Sequence, residues 1–154
     1  MSTECLSCLG LAGNPRLSPG PPIYIGAYWQ VEHAYPSNLV GWLVIALRRH
    51  AIALHELTSE EFVELGSILE LTIRAVHGAL GTAKEYAACY AETPGFEHIH
   101  FHVVPRAHDM REEFRGAGSF QLLGGSRSEA DSTAIRALCE SLQKAYPASL
   151  AAIP

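Results

Sequence analysis

Apolar side chains at Phe62, Leu65, Leu69, Ile73, Val76 and Leu80 fall at the three-and-four spacing of one helix face. Thr58 followed by Glu61 forms a capping box ahead of this run, and Gly81 stops it, so the pattern predicts a helix over 59–80. Elsewhere the period shortens. Ile23 to Val31 is rich in β-formers and reads as two short strand pieces hinged near Gly26, followed by a loop over 33–38. Trp42 to Leu47 is almost continuously apolar, as a central strand would be. Residues 84–91 are strand-like, Glu92-Thr93-Pro94-Gly95 turns the chain, and 96–104 alternates as a further strand. Residues 107–127 are rich in Gly, Arg and Ser and read as a long loop, a candidate flap over a site. A second capping pattern at Ser128–Asp131 opens a C-terminal helix over 128–146, with Ile135, Leu138 and Leu142 on one face and Pro147 ending it. Residues 1–22, crowded with Gly, Asn and Pro, read as an irregular lead-in. The short connection between the two adjacent strands favours antiparallel pairing. The fold class is therefore α+β: an antiparallel sheet of about five strands with one long central helix and a C-terminal helix, in one domain spanning 1–154.

Composition adds limits. A chain of 154 residues with 48% hydrophobic and 18% charged residues can bury a core. A net charge of -5 argues against non-specific binding to a nucleic acid duplex, which needs a basic footprint. No apolar run is long enough to cross a bilayer and no signal peptide is visible, so the expectation is a cytoplasmic protein without membrane contact. In that compartment the Cys5-x-x-Cys8 pair suits metal binding or redox chemistry better than a structural disulfide, while Cys89 and Cys139 read as small buried hydrophobes.

The candidate chemistry lies in His98-Ile99-His100-Phe101-His102-Val103-Val104. Strand geometry puts the three imidazoles on one face and Ile99, Phe101 and Val103 on the other. Such a row serves either a metal centre or a nucleophilic histidine with hydrogen-bonding helpers, and the spacing alone does not choose.

The same seven residues match the His-φ-His-φ-His-φ-φ signature of the histidine triad (HIT) superfamily, φ being apolar, and the chain resembles that family over roughly 23–106. Gly41 to His50, then His55-Glu56-Leu57-Thr58 opening a helix, is similar to the segment that precedes the triad, and Val103-Val104-Pro105-Arg106 is a similar ending. The resemblance implies a nucleotide hydrolase or nucleotidyl transferase. It would act at the α-phosphate of dinucleoside polyphosphates or nucleoside phosphoramidates through a covalent nucleotidyl-histidine, with no metal needed for the chemistry. His100 would be the nucleophile, oriented by the backbone carbonyl of His98, and His102 would contact the phosphate. Arg106 and Thr93 are candidate substrate contacts. By the same resemblance Cys5, Cys8, His50 and His98 would hold a structural zinc ion, and two subunits would pair as a homodimer. The alternatives are a metal-dependent hydrolase using the triad as ligands and a nucleotide-binding protein with little catalysis.

Three departures from the family stand out. Thr93-Pro94-Gly95-Phe96-Glu97 replaces the usual Gly-Gln-Ser or Gly-Gln-Thr. Trp42 stands where many members carry a further histidine, and Ala34 where an acidic residue or Asn grips the ribose. Glu32, His33 and Tyr35 are the nearby substitutes for that last contact.

Overall fold

The computed structural model describes residues 5–15, 17–124 and 131–146. Five strands form one antiparallel sheet: β1 (Tyr24–Ile25), β2 (Trp29–His33), β3 (Leu43–Leu47), β4 (Lys84–Ala88) and β5 (His100–Arg106), in spatial order β1-β2-β3-β5-β4. A short helix, α1 (Leu6–Leu11), precedes the sheet. The long helix α2 (Ser59–Leu80) crosses it, and α3 (Ser132–Gln143) closes the chain. Among the described residues no helix is long and apolar enough to cross a membrane.

The helix expected over 59–80 forms with those bounds. The Thr58 hydroxyl accepts from the Glu61 N–H, the Glu61 carboxylate accepts from the Thr58 N–H, and Gly81 ends the helix at φ 60°. Glu61 and Glu64, on the helix's inner side, tie it to the sheet. The Glu61 carboxylate takes two bonds from the Arg49 guanidinium, at 2.6 and 2.8 Å. The Glu64 carboxylate accepts from the backbone N–H groups of Ala27, Tyr28 and Trp29. Arg49 precedes His50, so the first pair also fixes the backbone that presents this histidine.

The register sorts the two faces of the sheet. Directly opposed residues share a face, and one row runs Val31, Ile45, Phe101, with Leu43 opposite Val103 beside it. These apolar rows pack with Trp29 and Leu47 against Leu65, Ile68 and Val76 of α2, and with Ile135, Cys139 and Leu142 of α3. The other face carries Gln30, Ala46 and His100 in one row and Glu32, Val44 and His102 in the next. The paired histidines therefore lie on the side away from α2.

Three expectations are modified. The lead-in is not wholly irregular, since Leu6–Leu11 is a helix whose N-cap is Cys5. The segment after β5 is not an open loop: it holds 3-10 turns at Glu112–Phe114 and Gly116–Leu122. Its Phe120 and Leu122 pack on Trp42 and Val104. The second strand of the adjacent pair starts at His100 rather than 96, because the chain turns between Phe96 and His98. For α3 the observed N-cap is Asp131, while Ser128 and Pro147 lie outside the described residues.

Gly41, before β3, has φ +94°, and a Cβ there would lie 2.3 Å from Leu80 Cδ1. The positive φ disfavours any side chain here, and a Cβ would also push the Leu80 side chain aside. The Gly41 N–H donates to His33 Nε2 at 2.8 Å, and His33 Nδ1 donates to the Ala34 carbonyl at 2.7 Å. His33 is thereby a structural brace of the β2–β3 connection.

Candidate active site and adjoining metal centre

The three triad histidines divide between two sites. His98 precedes β5 and is fully buried. Its Nε2–H donates to the Leu47 carbonyl at 2.6 Å, which leaves Nδ1 as a lone pair facing Cys8 Sγ at 3.4 Å and Cys5 Sγ at 3.6 Å. The single face expected for all three rings therefore holds only His100 and His102. His98 is rotated away by the turn before the strand and by the Leu47 carbonyl.

Cys5, Cys8, His50 and His98 bring four ligand atoms within 4.8 Å of one another. His50 Nδ1 is 3.5 Å from Cys8 Sγ. Zinc bonds of about 2.3 Å to sulfur and 2.0–2.1 Å to nitrogen, at tetrahedral angles, place S and N ligands roughly 3.5–3.6 Å apart. The observed sulfur–nitrogen separations of 3.4, 3.5 and 3.6 Å fit that ion. Two thiolates and two imidazoles make a closed, structural donor set. Burial pushes the His98 pKa down, which favours the neutral ring that a ligand needs. Leu47 is the outer partner that fixes its tautomer.

His100 and His102 stand two residues apart on β5, opposite Ala46 and Val44. His100 Nδ1 donates to the His98 carbonyl at 2.6 Å, so its Nε2 carries the lone pair. That Nε2 is 3.1 Å from His102 Nε2. The indole N–H of Trp42 can only donate, and it meets His102 Nδ1 at 3.1 Å. His102 is thus left with its proton on Nε2, directed at His100. The bonds form one series: Trp42 to His102, His102 to His100, His100 to the His98 carbonyl. Burial lowers the pKa of His100 against the upward pull of that carbonyl. Burial, then the neighbouring His100, lowers that of His102 to about 3.

Both rings line a cavity of about 510 Å³, within the usual range for small-molecule sites. Its floor is Val44 and Ala46, and Thr93 is on its wall. Arg106 is not among the lining residues; it lies at the far end of β5, where its guanidinium meets the Ala107 carbonyl. Arg111 is also elsewhere, paired with Glu113 and stacked over Phe114. Sequence reasoning missed the aromatic wall. Phe120 packs edge-on against His102, Trp42 and Tyr90, with centroids 4.9, 5.2 and 5.3 Å apart. Glu32 also lines the cavity, is buried, and accepts from the Gln30 amide beside it. Glu32 is one of the three substitutes named from the sequence for the ribose contact, and the register places it in one row with Val44 and His102.

A five-stranded antiparallel sheet crossed by one long helix, with paired histidines on its open face, is the histidine triad fold. The chain superposes on a hypothetical histidine triad nucleotide-binding protein from Sulfolobus tokodaii with a TM-score of 0.69 and 14% identity, covering 92% of this chain and 91% of that one. A zinc-bound histidine triad family protein from Mycobacterium smegmatis matches with a TM-score of 0.63 and 19% identity, over 91% and 94% of the two chains. A histidine triad protein from Sinorhizobium meliloti matches with a TM-score of 0.65 and 18% identity, over 83% and 90%. No protein-family model and no curated protein matches the sequence.

Proposed function

We propose that this protein is a HIT-type nucleotide hydrolase or nucleotidyl transferase that works through a covalent nucleotidyl-His100. The observation that carries the reading is the orientation of His100: Nδ1–H is held by the His98 carbonyl and the Nε2 lone pair is directed to the cavity side of the sheet. Attack by Nε2 on the α-phosphorus forms an N–P bond as the bond to the leaving group breaks. The positive charge that then develops on the ring is met at Nδ1–H by the His98 carbonyl. The Nε2–H of His102 turns from His100 to a phosphoryl oxygen and stabilises its charge. Water attacks phosphorus in the second half, the electron pair of the N–P bond returns to Nε2, the water's proton passes to solvent, and a nucleoside monophosphate leaves. Glu32, an acceptor within the same cavity, suits hydrogen-bond donors of the nucleoside such as ribose hydroxyls. Thr93, on the cavity wall, is the substrate contact this reading uses; Arg106 is not among the residues that line the cavity. Zinc held by Cys5, Cys8, His50 and His98 would supply structure and take no part in the reaction. The nucleotide-binding description of the Sulfolobus tokodaii protein supports the ligand class.

The test is single-turnover mass spectrometry with a dinucleoside polyphosphate and a nucleoside phosphoramidate. The expected result is an adduct on His100 equal to one nucleoside monophosphate less water. Turnover of either substrate with no adduct at any quench time overturns the mechanism.

A homodimer belongs to this reading. Strand β4 is a sheet edge, and Phe62 and Val63 of α2 are exposed. Sedimentation should give twice the chain mass of 16.7 kDa, and a single-chain mass at micromolar concentration counts against pairing.

A further inference from the structure

The indole that holds His102 restricts what the site can expel. We infer that Trp42 keeps His102 a hydrogen-bond donor and denies it the role of general acid, so that the site cleaves anhydrides, whose leaving groups depart as stable anions, in preference to phosphoramidates of alkylamines. The inference rests on the covalent reading above.

For His102 to hand a proton to a leaving group, it must first carry one on each ring nitrogen. A neutral imidazole that gave up its only N–H would become an imidazolate, too basic a product for a step at neutral pH. A second proton would sit on Nδ1, the atom that accepts from the Trp42 indole at 3.1 Å. Two N–H groups would then face each other, and the indole has no lone pair to offer in exchange. Trp42 cannot readily turn aside. It is fully buried, packed edge-on against Phe120 at 5.2 Å and edge-on against His102 itself at 5.7 Å. Charging His102 therefore breaks one hydrogen bond and strands two buried donors. A residue with an acceptor atom at position 42, such as histidine, would remove this barrier, because it could receive an Nδ1–H.

The consequence follows from which bond breaks. When His100 Nε2 attacks an anhydride, the P–O bond breaks and its electron pair leaves on oxygen as a phosphate, sulfate or carboxylate anion. No proton is required. When it attacks an alkyl phosphoramidate, the P–N bond breaks, and without a proton its electron pair would have to leave as an amide anion. Expulsion of the amine needs a proton donor, and His102, the imidazole in contact with the nucleophile, cannot serve. General acid assistance contributes roughly 10²–10⁴-fold where it operates, and this site forgoes it.

The experiment compares kcat/KM for a dinucleoside polyphosphate and for the n-propylamine phosphoramidate of the same nucleoside, in the parent chain and in Trp42→His and Trp42→Phe. A ratio of two substrates on one sample is independent of the fraction folded. The parent is expected to favour the anhydride by roughly 10²-fold or more, and Trp42→His to narrow that ratio by about tenfold or more. Trp42→Phe removes the opposing N–H without supplying an acceptor, so a new Nδ1–H would be unpaired but no longer opposed, and the ratio should fall between those of the parent and Trp42→His. Nitrogen NMR of the histidine rings should show His102 in the single tautomer protonated at Nε2. Equal rates on the two substrates in the parent, or a His102 proton on Nδ1, overturns the inference while a trapped nucleotidyl-His100 keeps the covalent reading. Failure to trap an adduct from either substrate overturns both.

Discussion

His100→Ala leaves the fold standing and lowers kcat by about four orders of magnitude or more, the scale of losing a covalent nucleophile. The side chain is half-buried at the cavity and belongs to no core cluster, so its removal opens space next to an existing void. The thermal midpoint should move by only a few degrees. Two measurements check this: steady-state turnover on whichever substrate the parent cleaves, and circular dichroism melting of both proteins. Ligand binding should survive, because Glu32, Thr93 and the aromatic wall are untouched. An alanine variant that kept a tenth of parental kcat would sink the covalent mechanism.

The second large effect is at the thiolates. Cys8→Ala should drop zinc from one ion per chain to a trace and lower the thermal midpoint on the order of 10 °C or more. Cys8 is almost fully buried and its sulfur faces the Nδ1 atoms of both His50 and His98, so its loss removes the contact to two of the other three ligands. Its loss should also lower kcat, since the carbonyl that orients His100 belongs to His98. His102→Ala serves as the control. If the triad itself bound the metal, His102→Ala would release zinc; in the present geometry it leaves zinc content unchanged. Full zinc occupancy in both Cys5→Ala and Cys8→Ala would remove the case for this centre.

The sequence-to-structure correspondence is closest where local rules act alone. The bounds of α2 follow from the Thr58–Glu61 box, an unbroken apolar stripe and Gly81, and none of these needs a distant partner. The antiparallel sheet of five strands and the placing of the Cys5–Cys8–His50–His98 cluster also agree with expectation, the cluster because the family resemblance already tied the four positions together. What alternation could not reveal was the end of β5 at which alternation stops. The Leu47 carbonyl and the sulfurs of Cys5 and Cys8, all far away in sequence, compete for the His98 ring and win. Phe120 was hidden for a related reason. Its contacts with Trp42, His102 and Tyr90 depend on how the segment after β5 doubles back. Trp42 is a similar case: as a residue type it reads as core, and only the tertiary contact with His102 Nδ1 shows the chemical consequence of an N–H at that place.

The Cys/His cluster also bears on the time order of folding. Its ligands join positions 90 and 93 residues apart in the chain, across loops whose closure is entropically the most expensive in this part of the protein. His50 follows β3 and His98 precedes β5, so their rings come together only after these two strands have paired. Cys5 and Cys8 sit on a six-residue helix that has little reason to persist unaided. Metal capture would thus fall at the end of the folding sequence, and it would report a sheet already assembled. The ion would act on the unfolding rate more than on the folding rate, latching the amino-terminal segment to a finished sheet.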